Sequence, residues 1–320
     1  MVAAWMRKRA TAAAMAVAIA GCGGIGGGSA ASEEVAVPTQ TAGHAETIPA
    51  ELIRPAAGGG GPFPAVVVAH DCSGLGPRSS GSPKRWADLL AQQGYVVLMP
   101  DSFGTRGFPD GVCTVPPDRR TPAVSVSQSA VDAYAALAYL RILPFVDGRH
   151  VGIIGGSHGG STTLLAMAIP LAPDTPLAAA KRDGFAAGIA LYPGCAGRYG
   201  SWNARREHRI AGEPVTYDGV YEPIAPLLIL AGEKDDWTPA EHCRRLAASA
   251  AANLYPVALK IYPGAHHSFD SGFPVRYVAN RTNPNAPGGR GASTGGDPSA
   301  WADSIDQVTR FFADHLKHPS

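Results

Sequence analysis

This chain lacks an excess of either charge: 27 lysines and arginines face 26 aspartates and glutamates over 320 residues, a net charge of +1. Such balance gives no global field for nucleic acid or an anionic membrane surface, so no nucleic-acid partner is expected. An early apolar stretch, Ala10 to Ala20, falls well short of the roughly 20 residues a transmembrane helix needs. Internal repeats are missing, and so are the CxxC and HExxH spacings of metal sites; no metal and no cofactor is expected.

The apolar stretch has another use. Arg7, Lys8 and Arg9 precede it, which makes residues 1–21 read as an export signal. Ile19-Ala20-Gly21-Cys22 is similar to the lipobox of bacterial lipoproteins, whose cysteine carries lipid, while Ala18-Ile19-Ala20 also fits ordinary A-x-A cleavage. Cysteine parity separates the two. The chain has 5 cysteines, an odd number unusual in an exported protein, and assigning Cys22 to lipid leaves an even set. The expected organisation is a signal over 1–21, a Gly/Ser/Ala-rich tether over 22–48 and one domain over 49–320. The lipid would hold the protein on the cell envelope, with a soluble secreted or periplasmic form as the alternative.

Past the tether, short apolar runs alternate with helical patterns. The runs are 65–70, 95–100, 150–155, 186–192, 226–231 and 257–262, each short enough for a strand buried on both faces. Between them Ala130, Tyr134, Leu137 and Ala138 share a helix face, as do Cys243, Leu246, Ala247 and Ala250; Ile305, Val308, Phe312 and Leu316 mark a C-terminal helix. This alternation predicts an α/β fold, a mainly parallel central sheet flanked by helices. Residues 101–122, 193–225 and 270–298 break the pattern and read as long loops, with 193–225 a candidate lid. All three follow strand ends, the edge at which open α/β sheets build their sites.

Gly155-Gly156-Ser157-His158-Gly159 matches G-x-S-x-G, a strand-to-helix elbow that exposes a serine nucleophile. A strand precedes it and a helix-compatible run follows. No lysine follows the glycines, which excludes a P-loop. A second match, Gly291-Ala292-Ser293-Thr294-Gly295, sits in glycine-rich sequence with no strand before it and reads as a product of composition. Ser157 needs a base, and the base an orienting carboxylate, in the chain order Ser, Asp, His. Asp235, with Asp236 as fallback, follows run 226–231; His267, with His266 as fallback, follows run 257–262. Two backbone N–H donors would complete an oxyanion hole, one from His158 and one from Cys72 in the turn after run 65–70.

These stretches, with Pro100-Asp-Ser-Phe103, Gly232-Glu-Lys-Asp-Asp-Trp-Thr-Pro239 and Tyr262-Pro-Gly-Ala-His-His-Ser-Phe269, resemble the dienelactone hydrolase family of α/β-hydrolases over residues 50–317. The resemblance implies a hydrolase of carboxylic esters or lactones acting through an acyl-enzyme, with a small-molecule substrate. The founding enzymes use cysteine where Ser157 stands, and a glutamate that interacts with it where Asp71 stands. Arg106 lies one residue from the family's substrate-carboxylate arginine, and Trp237 is a candidate pocket wall. Among the remaining cysteines, adjacent connections favour Cys72–Cys113 and Cys195–Cys243 as disulfides, with reduced metal-binding cysteines as the alternative. Two other functions fit the same residues: a peptidase or acyltransferase, or a non-catalytic envelope-tethered binding protein. The oligomeric state is not legible.

Overall fold

A computed structural model describes residues 31–318 except 42, 56–59, 173–175 and 209. The export signal and Cys22 lie outside the described residues. The strands are β1 (Ser32–Thr41), β2 (His44–Ile53), β3 (Phe63–Ala69), β4 (Val96–Pro100), β5 (Val146–Gly156) and β6 (Ala187–Leu191). A small set follows, β7 (Arg198–Tyr199), β8 (Trp202–Arg205) and β9 (Thr216–Asp218), and then β10 (Leu227–Gly232) and β11 (Val257–Tyr262). A last hairpin joins β12 (Arg276–Thr282) to β13 (Arg290–Thr294).

The main sheet has the order β1-β2-β4-β3-β5-β6-β10-β11. From β4 to β11 every pairing is parallel; only β1/β2 and β2/β4 are antiparallel. Successive side chains leave a strand on opposite faces, so each run feeds two cores. Ala65, Val67, Ile153 and Ile229 belong to one, Val66, Val68, Ile154 and Leu230 to the other. The first face is covered by α2 (Val126–Arg141), α3 (His158–Met167) and α5 (Ala240–Ala251). The second is covered by α1 (Ser82–Gln92) and α6 (Pro298–Phe312), while a short α4 (Pro176–Lys181) joins the first side. Ser125 caps α2 through the Gln128 N–H, and Asp297 caps α6 through the Ser299 and Ala300 N–H groups.

Four expectations are corrected. The tether does not run to residue 48, because Ser32–Thr41 pairs along its whole length with β2 and buries Val37 completely. Segment 193–225 carries a three-stranded sheet, and segment 270–298 carries the β12–β13 hairpin. The second G-x-S-x-G therefore runs along a strand, β13, with Gly295 just past its end, and has another strand before it. Its loop-like composition hid a hairpin whose job is support, as the site makes clear.

Both expected disulfides are formed. Cys72–Cys113 and Cys195–Cys243 have Cα atoms 4.9 and 5.0 Å apart. Bridges of this kind belong to oxidising compartments and point to an exported protein. Among the described residues no helix is long and apolar enough to cross a membrane.

Candidate active site

β5 ends at Gly156, and α3 begins at His158. The residue between them, Ser157, has φ 54° and ψ −111°, a backbone conformation that non-glycine residues seldom adopt. The turn is tight enough that a Cβ on Gly159 would stand 2.0 Å from the Ala69 carbonyl oxygen. One on Gly155 would stand 2.5 Å from the Gly159 carbonyl. Glycine at these two positions lets the chain cross β3 and itself. The Ser157 N–H is anchored on the Leu191 carbonyl of β6 at 2.9 Å. Ser161 lies in α3, and its hydroxyl accepts the Gly194 N–H at 3.0 Å, a structural task.

The Ser157 hydroxyl donates to His267 Nε2 at 2.9 Å, and His267 Nδ1–H donates to Asp235 Oδ2 at 2.8 Å. His267 and Asp235 are both buried. The loops after β10 and β11 deliver them because parallel neighbours end at the same edge of the sheet as β5. Asp236, by contrast, accepts the Ser293 N–H of β13 at 2.8 Å. Asp235 is held on both oxygens. Oδ1 accepts the N–H groups of Trp237 (2.9 Å) and Thr238 (2.7 Å), while the Thr238 hydroxyl lies 2.8 Å from Oδ2 and 3.0 Å from His267 Nδ1.

Aromatic rings and the last hairpin hold the imidazole. Trp237 packs 4.7 Å from the His267 ring and donates its indole N–H to the Thr282 carbonyl. Tyr192 packs edge-on at 4.8 Å on the other side, its hydroxyl donating to the buried Asp270 at 2.7 Å. Burial first, then Asp270 and Asp71, push the Tyr192 phenol well above its ordinary pKa, so it stays a neutral donor. The His267 carbonyl accepts the Gly295 N–H and the Thr294 hydroxyl. The second G-x-S-x-G is thus a brace for the loops that carry Asp235 and His267.

Beside the elbow, the His158 ring lies under Phe103, with Nε2 3.1 Å from the Ser129 hydroxyl. Burial, reinforced by His70 and Arg120, lowers its pKa to about 3, so the ring is neutral. Cys72 and Ser157 line the same two cavities, one of about 710 Å³ and one of about 390 Å³, and Trp237 lines both. Asp71 lines only the smaller; its carboxylate accepts the Ser73 N–H and the Ser73 and Ser80 hydroxyls.

Arg106 is not at this site. Its side chain is 3% exposed and is ion-paired with Asp132 and Glu46, with a further bond to the Ser102 carbonyl. A guanidinium saturated in this way anchors the β1–β2 hairpin to α2 and has no donors left for a substrate. Thr238 and the β13 brace were not legible as site residues. Thr238 stands inside a motif read for its acid, but its reach to the imidazole depends on how two loops meet.

A family model described as the dienelactone hydrolase family matches residues 48–316. The chain belongs to this family. Solved structures share its fold at low identity. A candidate dienelactone hydrolase from Klebsiella pneumoniae subsp. pneumoniae is 19% identical, with TM-score 0.58, over 89% of this chain and 99% of that one. Thermogutta terrifontis esterase 2, phosphorylated by paraoxon, is 17% identical, with TM-score 0.58, over 90% and 96%. A dienelactone hydrolase-like promiscuous phosphotriesterase from metagenomic libraries is 20% identical, with TM-score 0.56, over 89% and 99%. A search of curated proteins finds no match.

Proposed function

We propose that this dienelactone hydrolase family member is an exported serine hydrolase of carboxylic esters or lactones, with Ser157, His267 and Asp235 as its catalytic triad. The observation that carries the reading is the unbroken chain from Ser157 Oγ through the His267 ring to Asp235, with the serine on a strained elbow. In this mechanism His267 Nε2 takes the hydroxyl proton as Ser157 Oγ bonds to the acyl carbon. The negative oxygen that forms is met by the backbone N–H groups of His158 and Cys72. His158 opens α3, where the N–H has no helical acceptor, and the Cys72 N–H donates to no backbone acceptor among the described residues. His267 then gives its proton to the departing alcohol oxygen, and water repeats the sequence on the acyl-enzyme.

Cys22 is the proposed lipid attachment point, with residues 1–21 as the signal and the segment up to β1 as the tether. The pairing of Thermogutta esterase 2 with paraoxon supports an organophosphate as the trapping reagent. A fluorophosphonate or paraoxon is expected to modify wild-type protein at Ser157. Ser157→Ala should abolish both that adduct and turnover of p-nitrophenyl acetate; labelling that survives in the variant overturns the assignment.

A further inference from the structure

Ser157 stands where two unlike cavities meet. Cys72, Cys113, Ser157 and Trp237 line both, so a bound ester would lie across this wall with one half on each side. His267 lines only the smaller cavity and His158 only the larger. This asymmetry has a chemical consequence, resting on the hydrolase reading above. The proton moved from Ser157 to His267 must be delivered to the departing oxygen, so the alcohol half belongs on the side that His267 faces. The acyl half then lies in the larger cavity.

The walls differ as the two halves would require. The cavity of about 710 Å³ is walled by carbon from Val126, Ala196, Ala204, Ile210 and Pro284. It also has three arginines, each engaged within the protein: Arg120 on the Val112 and Val115 carbonyls, Arg205 on Asp218, and Arg206 on Asn285 and the Glu213 carbonyl; His242 meets the Tyr217 hydroxyl. The cavity of about 390 Å³ has three arginines, Arg78, Arg276 and Arg281, against Asp71 and Asp110. Arg78 is paired with Asp110, and Asp71 is engaged by serine hydroxyls.

Arg281 is different. It lines the smaller cavity with Ser157 and His267, and its guanidinium lies 5.4 Å from the Trp237 ring centroid. Among the described residues no carboxylate comes within ion-pair distance of it. Asp71 acts on the guanidinium only at longer range, so a ligand anion would meet the charged group where Arg281 lines the cavity.

We propose that the natural substrate is an ester of a bulky apolar acid with an alcohol that carries a negative charge, the apolar acyl chain filling the larger cavity and the anion binding Arg281. In the reaction the Ser157 Oγ–acyl bond forms and the acyl–alkoxy bond breaks. The serine proton leaves on the anionic alcohol.

Three esters test the arrangement: 3-octanoyloxybenzoate, its neutral amide 3-octanoyloxybenzamide, and monooctyl isophthalate, which puts the charge on the acyl half. The expected order has 3-octanoyloxybenzoate cleaved with the highest kcat/KM and monooctyl isophthalate with the lowest. In Arg281→Gln the benzoate-to-benzamide ratio should fall about tenfold, and Arg281→Lys should retain most of it. In Ala196→Phe the preference for octanoyl over acetyl at constant alcohol should shrink. Fluorophosphonate labelling of each variant reports an intact Ser157 site independently of these ratios. Labelling with a wild-type ratio near one, or a ratio untouched in Arg281→Gln, overturns the subsite assignment and leaves the hydrolase standing. Loss of labelling in wild type overturns both.

Discussion

A methyl group at residue 159 would stand 2.0 Å from the Ala69 carbonyl oxygen, so Gly159→Ala forces β3 and the elbow apart. Overpacking of this kind typically costs about 1–3 kcal/mol. The variant should unfold at lower denaturant, and its fluorophosphonate labelling should slow far more than the stability loss explains, since the Ser157 hydroxyl moves from the imidazole. Asp235→Asn separates charge from shape. The amide keeps the size of the carboxylate but loses the acceptor that fixes His267 Nδ1–H, and kcat for p-nitrophenyl acetate should fall by about 10³–10⁴. A fall under tenfold would mean the carboxylate does not set the tautomer. Ser157, Asp235 and His267 were legible because each follows a buried apolar run by a few residues, and parallel strands bring such ends together. Thr238 was not. Its contacts with Asp235 and His267 require the two loops to be folded against each other, information that no spacing holds.

Among the elements, the β1–β2 hairpin was one that the sequence concealed. Ser32–Thr41 contains Pro38 and follows glycine-rich sequence, both marks of a linker, yet Pro is tolerated on an edge strand such as β1. What holds the hairpin is partly electrostatic. Arg106 joins Glu46 of β2 to Asp132 of α2, partners 60 and 26 residues away, and Asp132 is fully buried. Arg106→Met would strand that carboxylate, and removing one member of a buried pair costs about 3–5 kcal/mol. The expected outcome is a lowered urea midpoint with KM for 3-octanoyloxybenzoate unchanged in the folded fraction. A raised KM without loss of stability would restore Arg106 to the substrate site. The same concealment applied to β12 and β13, whose glycines and prolines read as loop although the hairpin braces Asp236 and His267.

For the whole molecule, the elbow ties stability to pH. His158 begins the helix that Ser157 opens, and its half-buried ring lines the larger cavity, packed against Phe103 and Ser129 with Arg120 and His70 nearby. Its pKa in the folded protein is about 3, against 6.5 for the free side chain. Between those values the unfolded chain binds a proton that the folded chain refuses, so stability is full above pH 6.5 and declines as the pH falls towards 3. The slope from this one group reaches about 1.4 kcal/mol per pH unit. The two disulfides do not titrate in this range and, in the chain-entropy model, supply about 4 kcal/mol each from loops of 41 and 48 residues. Reduction should therefore lower the denaturation midpoint by a similar amount at every pH, while acid acts through groups such as His158. His158→Gln isolates that group. Its unfolding free energy, measured by urea titration from pH 8 to pH 4 and subtracted from wild type, should give a difference that is constant above pH 6.5. Below that pH the difference should shift in favour of the variant by up to about 1.4 kcal/mol per unit. A difference that stays constant down to pH 4 would mean the ring takes up its proton in the folded state, so that a charged imidazolium, not a neutral ring, stands beside the nucleophile.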